Sequence, residues 1–268
     1  MKEMTLREVQ LFELGILKDV HEFCMANHIN YSLAYGTLIG AIRHKGFIPW
    51  DDDIDIVMPR PDYDRFCRTY KSQAGYEIFS PIQGNSYLGY TRVCDFKKTW
   101  VLSIPWCTKS PTGIWINIFP MDGIAVHEDL KKVYRTLRKL QKQRMRTRLQ
   151  IEALSKPLPL YQKLLIIMRN ALHGSTDIKH ITDRYEAIIT AEGYEHSTYC
   201  GNRSILIDFP KDKHPRSIFD NYEPQEFEGH PFMIMSQYDT FLQAIYGDYM
   251  TPPPPEERVR HPQRMYWL

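Results

Sequence analysis

Apolar positions change period several times along the first hundred residues, and each change marks an element boundary. Val9, Phe12, Ile16, Val20 and Phe23 recur at helical spacing behind Thr5 and Glu8, a T-x-x-E capping box. A helix is therefore predicted over 6–26, with one apolar face to pack on a sheet. YSLAYG, residues 31–36, is short, aromatic and aliphatic and reads as a strand. GTLIGAIRHKG then opens a second helix at Gly36 and Thr37 that stops near Gly46. The stretch FIPWDDDIDIVMP, residues 47–59, leads into an apolar strand. In PRPDYDRFCRTY the prolines mark a loop and put Pro61 at a favourable first helical position, with Tyr63 and Phe66 inward. YEIFS, LGYTRVCDF and GIWINIF supply three more strands.

From about His127 the pattern turns helical. Residues 131–150 contain nine Lys or Arg and no acid, beside an apolar stripe of Leu130, Val133, Leu137, Leu140, Met145 and Leu149. Beyond Pro157 and Pro159, helices are predicted over 160–172 and 178–192. Short strands follow over 205–209 and 227–235, then a helix over 238–246 and an extended, proline-rich tail. There is no internal repeat and no low-complexity linker. The expectation is one α/β (α+β) unit over 1–268: a mixed-sheet core, 1–126, a helical segment, 127–195, and a small strand-and-helix extension, 196–268, packed on the core.

Bulk properties narrow this picture. With 268 residues, 43% of them hydrophobic and 25% charged, the chain can bury a sizeable core. A net charge of +2 is too mild to predict a nucleic-acid partner. Five cysteines, odd in number and without a CxxC pair, argue against a disulfide framework or a zinc ribbon and read as reduced thiols. The N-terminal stretch has acids among its apolar residues and lacks the regions of a signal peptide, and no apolar run approaches a membrane span. A cytoplasmic protein is expected.

The chemistry concentrates at Asp51, Asp52, Asp53 and Asp55, four carboxylates within five residues. On a strand Asp53 and Asp55 share a face, with Asp51 joining them if the strand begins early and Asp52 turned away. Paired carboxylates make a hard-oxygen site suited to Mg²⁺ or Mn²⁺. The bland alternative is an acidic turn with solvated charges. Against it stands the element order: strand, glycine turn, helix N-terminus, acidic strand, as many nucleotidyltransferases arrange a phosphate cradle and metal ligands. A third acid is expected on GIWINIFPMDG, where parity centres Asn117, a neutral amide, while Asp122 follows Pro120 either as a turn residue or as a functional acid.

Residues 35–66, YGTLIGAIRHKGFIPWDDDIDIVMPRPDYDRF, closely resemble the signature of the LicD family of phosphotransferases, to which fukutin-type proteins are related. INIFPMDG and the C-terminal IYGDYMTPPPPEERVRHP extend the resemblance. It implies a nucleotidyltransferase-like fold and transfer of a phospho-alcohol, commonly phosphocholine from CDP-choline. The acceptor it implies is a cell-surface glycan such as lipopolysaccharide, teichoic acid or capsule. By motif, Gly36 and Thr37 fall on the phosphate-binding turn, and Asp53 and Asp55 on the metal ligands. Asn117 stands where the family strand usually has aspartate, so it serves as a neutral ligand, or Asp122 or Asp51 supplies the charge, or metal binding is weak.

Asp51 or Asp122 is then the candidate base for the acceptor hydroxyl. Arg43, His44 and Lys45 are candidate phosphate contacts, with a helix C-terminal basic cluster as the alternative. Arg258, Arg260 and His261 are candidates to close over the nucleotide. Trp50, Tyr35, Trp100 and Trp106 are near the motif should a quaternary ammonium require aromatic faces. The basic helix 131–150 is read as a solvated face, a contact for an anionic membrane at the inner membrane surface, or a contact for a glycan or lipid-linked glycan acceptor. Two competing functions remain: nucleotidyl transfer to a small molecule, and a catalytically weak nucleotide- or glycan-binding homologue.

Overall fold

A computed structural model describes residues 1–101, 106–107, 109, 112–155, 159–171, 177–206, 211–258 and 264–268. The N-terminal half alternates strand and helix. β1 (Lys2–Glu3) precedes α1 (Leu6–Ala26), then β2 (Ser32–Leu33), α2 (Tyr35–His44), β3 (Asp55–Pro59) and α3 (Arg60–Thr69). β4 (Glu77–Phe79), β5 (Thr91–Cys94), β6 (Thr99–Val101) and β7 (Trp115–Ile124) follow. α1 begins at the predicted capping box: the Glu8 N–H donates to Thr5 Oγ1 at 3.2 Å, and the Thr5 N–H donates to Glu8 Oε2 at 2.8 Å. The apolar side of α1 buries Val9, Leu14, Ile16, Leu17 and Val20 in the main core.

β2, β3, β7, β5 and β4 form the main sheet in that order, with β3 and β7 parallel and the other pairs antiparallel. β7 is buried along its whole length, which explains its near-continuous apolar sequence. Its register places Asn117 between Asp55 on β3 and Arg92 on β5. The strand does not end at Pro120. Pairing with β5 stops at Ile118, and pairing with β8 (Tyr199–Gly201) starts at Asp122, so Pro120 falls where the partner on that edge changes. Asp122 is consequently a strand residue rather than a turn residue.

The helical segment is α4 (Leu130–Ser155), α5 (Leu160–Ala171) and α6 (Ile178–Ile189). α4 and α6 make a second small core from Leu137, Leu140, Ile181, Tyr185 and Ile189. The remaining elements are β9 (His214–Pro215), paired with β8, β10 (Tyr222–Phe227), β11 (His230–Met235), α7 (Tyr238–Tyr246) and β12 (Met265–Trp267). β12 pairs with both β1 and β6 in a three-stranded sheet.

Two strand expectations change. Residues 205–206 are not strand and 207–209 lie outside the described residues; the strand of this region is β8 instead. The single strand expected over 227–235 is a hairpin, folded at Glu228 and Gly229, both with positive φ (53° and 72°), as a two-residue turn of right-handed twist demands. All five cysteines are buried free thiols.

Candidate active site

The acidic motif sits where α1, α2 and the first residue of β3 converge. β3 starts only at Asp55, so strand parity does not govern residues 51–54. One carboxylate oxygen from each of Asp51, Asp52 and Asp53 comes within 4.8 Å of the others. Asp52 thus joins the cluster instead of facing away, because the backbone has not yet adopted the pleat that would turn it. Asp55 enters from the strand itself, and its N–H donates to Thr37 Oγ1 at 2.9 Å, tying the strand to the first turn of α2.

The α2 N-terminus packs directly on this loop. A β-carbon at Gly36 would lie 2.7 Å from Asp51 Oδ2, so any larger residue would displace the Asp51 carboxylate from this position. A carboxylate at a helix N-terminus meets the positive end of the helix dipole. Tyr35, just before it, has φ of 49°, a left-handed conformation costly for a bulky side chain, on the order of 1–3 kcal/mol. Its ring is held in place from far along the chain. Tyr35 Oη donates to Asp212 Oδ2 at 2.5 Å and accepts from Asn202 Nδ2 at 2.9 Å, while His214 Nε2 lies 3.0 Å from Asp212 Oδ1.

Asn117 links an acid to a base. Its Nδ2 donates to Asp55 Oδ1 at 2.9 Å, and its Oδ1 accepts from Arg92 Nε at 2.9 Å. Arg92 is itself fixed: it donates to Tyr90 Oη at 3.0 Å and stacks over Trp115 and Trp106, 4.0 and 4.8 Å from the ring centroids. Aspartate at 117 would lose the donor that holds Asp55.

α1 contributes two polar residues that the sequence reading passed over. Gln10 Nε2 donates to the Asp51 carbonyl at 2.8 Å and so fixes the loop backbone. Glu13 is 1% exposed, and its Oε2 has no hydrogen-bond partner among the described residues. Burial, then the negative charges of Asp53, Asp52, Asp51 and Asp55, hold its carboxyl well above the usual carboxylate range. A cavity of about 50 Å³ lies here, lined by Glu13, Asp52, Asp53, Arg92, Trp115, Asn117 and Met265. The helical pattern hides Glu13, yet it lies four residues after Val9 and three before Ile16, within the apolar stripe, and an acid in that stripe is the signal that marks it.

Comparison with known proteins adds a family to this geometry. Residues 28–149 match the family described as LicD/FKTN/FKRP, nucleotidyltransferase domain. The chain is also 33% identical, over 97% of its own length and 97% of the relative's, to the lipopolysaccharide cholinephosphotransferase LicD of Haemophilus influenzae. The chain belongs to the LicD family. Shorter stretches match uncharacterized proteins of Rickettsia typhi (40% identity, 27% of this chain and 23% of that protein) and Rickettsia prowazekii (45% identity, 21% and 20%).

In this LicD-family chain the donor set suits a divalent cation. Glu13, Asp52 and Asp53 line one small cavity, Asp51 lies within reach of the latter two, and a buried glutamate oxygen there lacks a partner among the described residues. Asp51, Asp52, Asp53, Asp55, Gly36, Thr37 and Asn117 are all brought together. Arg258 packs on the neighbouring Trp50, its guanidinium 4.3 Å from the ring centroid, so the C-terminal tail meets the residue before Asp51. Arg260 and His261 lie outside the described residues.

Other candidates are elsewhere. Asp122 is fully buried and paired with Arg60 Nε at 2.6 Å, five residues along β7 from Asn117, about 16 Å at strand rise. That pairing and the lack of exposure suit it to holding α3 against β7 rather than to accepting a substrate proton. Arg43 stands at the other end of α2 from Gly36 and donates to the Tyr249 carbonyl at 2.7 Å, anchoring the C-terminal region. Lys45 pairs with Glu226 at 3.8 Å. No open aromatic cage is formed by the named rings: Trp106 stacks with Arg92, Trp50 with Arg258, Trp100 with Tyr266, and Tyr35 packs against Phe119 and Phe241.

Proposed function

We propose that the chain transfers phosphocholine from CDP-choline to a hydroxyl of a cell-surface glycan such as lipopolysaccharide, with Mg²⁺ or Mn²⁺ as cofactor. The observation that carries this reading is the near-full-length likeness to the Haemophilus influenzae lipopolysaccharide cholinephosphotransferase. The crowded acidic loop against the α2 N-terminus supports it chemically.

The acceptor oxygen attacks the phosphorus of phosphocholine in line, the bond to the CMP oxygen breaks, and the hydroxyl proton passes to a carboxylate, for which Asp51 is the candidate. A divalent ion held by Asp53 and Asp55 with Asp52 would supply charge neutralisation at the pyrophosphate. Asn117 and Arg92 hold Asp55 in orientation. Thr37 fixes the start of β3 against α2, and Arg258 on Trp50 lies where it can meet the leaving nucleotide.

The acceptor's chemistry also suggests contact with an anionic bilayer. On α4, Lys131, Lys132, Arg135, Arg138, Lys139, Lys142 and Arg146 are exposed. The adjoining α5 exposes Leu160, Tyr161, Leu164, Leu165, Ile167 and Met168, each more than half accessible. Cations beside unpartnered apolar side chains suit a peripheral lipid contact. No helix of the described residues is long and apolar enough to cross a membrane.

The test is a panel of CDP-choline, CDP-ethanolamine, CDP-glycerol and CDP-ribitol with Mg²⁺ and a glycan acceptor. CMP release with phosphocholine on the acceptor, lost at least 100-fold in folded Asp53→Ala and Asp55→Ala variants, is the expected outcome. Full CMP release by both variants would sink the metal site, and pyrophosphate as the product would replace the reading with nucleotidyl transfer.

A further inference from the structure

We infer that Glu13 is a working part of the divalent-cation site, a carboxylate delivered by α1 that faces the ion together with Asp52 and Asp53 across the cavity they share. The inference rests on the metal reading above and deepens it by adding a residue outside the acidic motif.

Three observations carry it. First, Glu13 is 1% exposed, whereas a glutamate at that depth is normally paired, and here Oε2 meets no donor among the described residues. Burying a carboxylate without a partner is costly, and a more apolar side chain at this point of the α1 stripe would pack without that cost. Second, the cavity that Glu13 lines is shared with Asp52, Asp53, Asn117 and Arg92, residues of the site itself, and with Trp115 and Met265. Third, the acids it meets across that cavity, Asp52 and Asp53, are of its own sign.

Removing the carboxylate therefore relieves strain if its role is structural, but loses affinity if a cation is its partner. Arg92 does not fill that place. Its guanidinium is committed to Asn117, Tyr90 and the faces of Trp115 and Trp106. Gln10, one turn earlier on the same face, holds the Asp51 carbonyl, so α1 fixes the loop backbone through one residue and supplies charge to the cavity through the next.

The experiment titrates Mn²⁺ into the full-length wild type and the isosteric Glu13→Gln variant by calorimetry and by loss of the free-ion electron paramagnetic resonance signal, with metal-free thermal melts alongside. Glu13→Gln is expected to weaken Mn²⁺ binding about 10- to 100-fold, the range for residues supporting a metal site, while the metal-free variant melts at or above wild type. Glu13→Asp, which keeps the charge but falls short by one methylene, is expected to weaken binding as well. Glu22→Gln, an exposed change on the same helix, leaves it unaltered. Wild-type affinity in both Glu13 variants, or a Glu13→Gln loss matched by Glu22→Gln, overturns the inference while leaving the metal reading standing. No Mn²⁺ binding by wild type overturns both.

Discussion

Asn117 sets the order of charge across the sheet: acid at Asp55, amide in the middle, base at Arg92. The amide is the one side chain of its size that can donate to the first and accept from the second at once. Asn117→Asp replaces the donor with a second acid beside Asp55. In the metal-free protein this is expected to cost about 1–3 kcal/mol, and added Mg²⁺ is expected to recover more stability than it gives wild type. Thermal melts with and without Mg²⁺ measure both terms; equal Mg²⁺ stabilisation of the two proteins contradicts the role given to the amide. Residues such as Asn117 and the aspartates were visible in the sequence because their type and spacing carry the information. The role of Tyr35 was not: named from the sequence only as a candidate aromatic face, it is held in its strained conformation by partners that include Asp212, 177 positions away.

At the scale of elements, α3, β7 and α6 meet at a buried charge cluster. Arg60 joins Asp122 at 2.6 Å and Glu186 at 3.4 Å, with Asp64 at 3.4 Å and Arg144 also acting on Glu186. Burial raises the Glu186 carboxyl from the ordinary 4.5 to about 7; Arg60 and Arg144 oppose the shift and Asp122 and Asp64 add to it. A carboxyl raised on folding contributes stability that is complete below its unfolded value and is lost as pH rises through its folded value. Wild-type stability should therefore fall between about pH 4.5 and 7, by on the order of 3 kcal/mol from this group. Urea unfolding at pH 5 and pH 8 should show a smaller fall in Glu186→Gln; an unchanged fall assigns the pH dependence elsewhere. Elements were legible where local rules settled them: α1 from its cap and period, α2 from its glycine turn. They were misread where pairing decided. Pro120 looks like a strand end until β5 and β8 are seen to exchange places beside it, and Glu228–Gly229 lacks the asparagine or aspartate that announces a two-residue turn.

For the whole molecule, the helical segment gives it one face unlike the rest, cationic on α4 and apolar on α5. Cosedimentation with liposomes is expected for vesicles containing anionic lipid and not for neutral ones. It should weaken at least tenfold when the exposed Lys and Arg of α4 become Gln, and again when Leu164 and Leu165 become Ser. Binding that survives the first change rejects the electrostatic part of the contact. The hydrogen bond from the Met235 N–H to Ser32 Oγ spans 203 positions, and β7 cannot acquire β8 until residue 199 exists. On the ribosome, at 5–20 residues per second, the first strands must then wait roughly 10–40 s for the partners that cover them. Cells making this protein in quantity should for that reason gain more soluble product from added chaperone than from any single stabilising substitution in the nascent half.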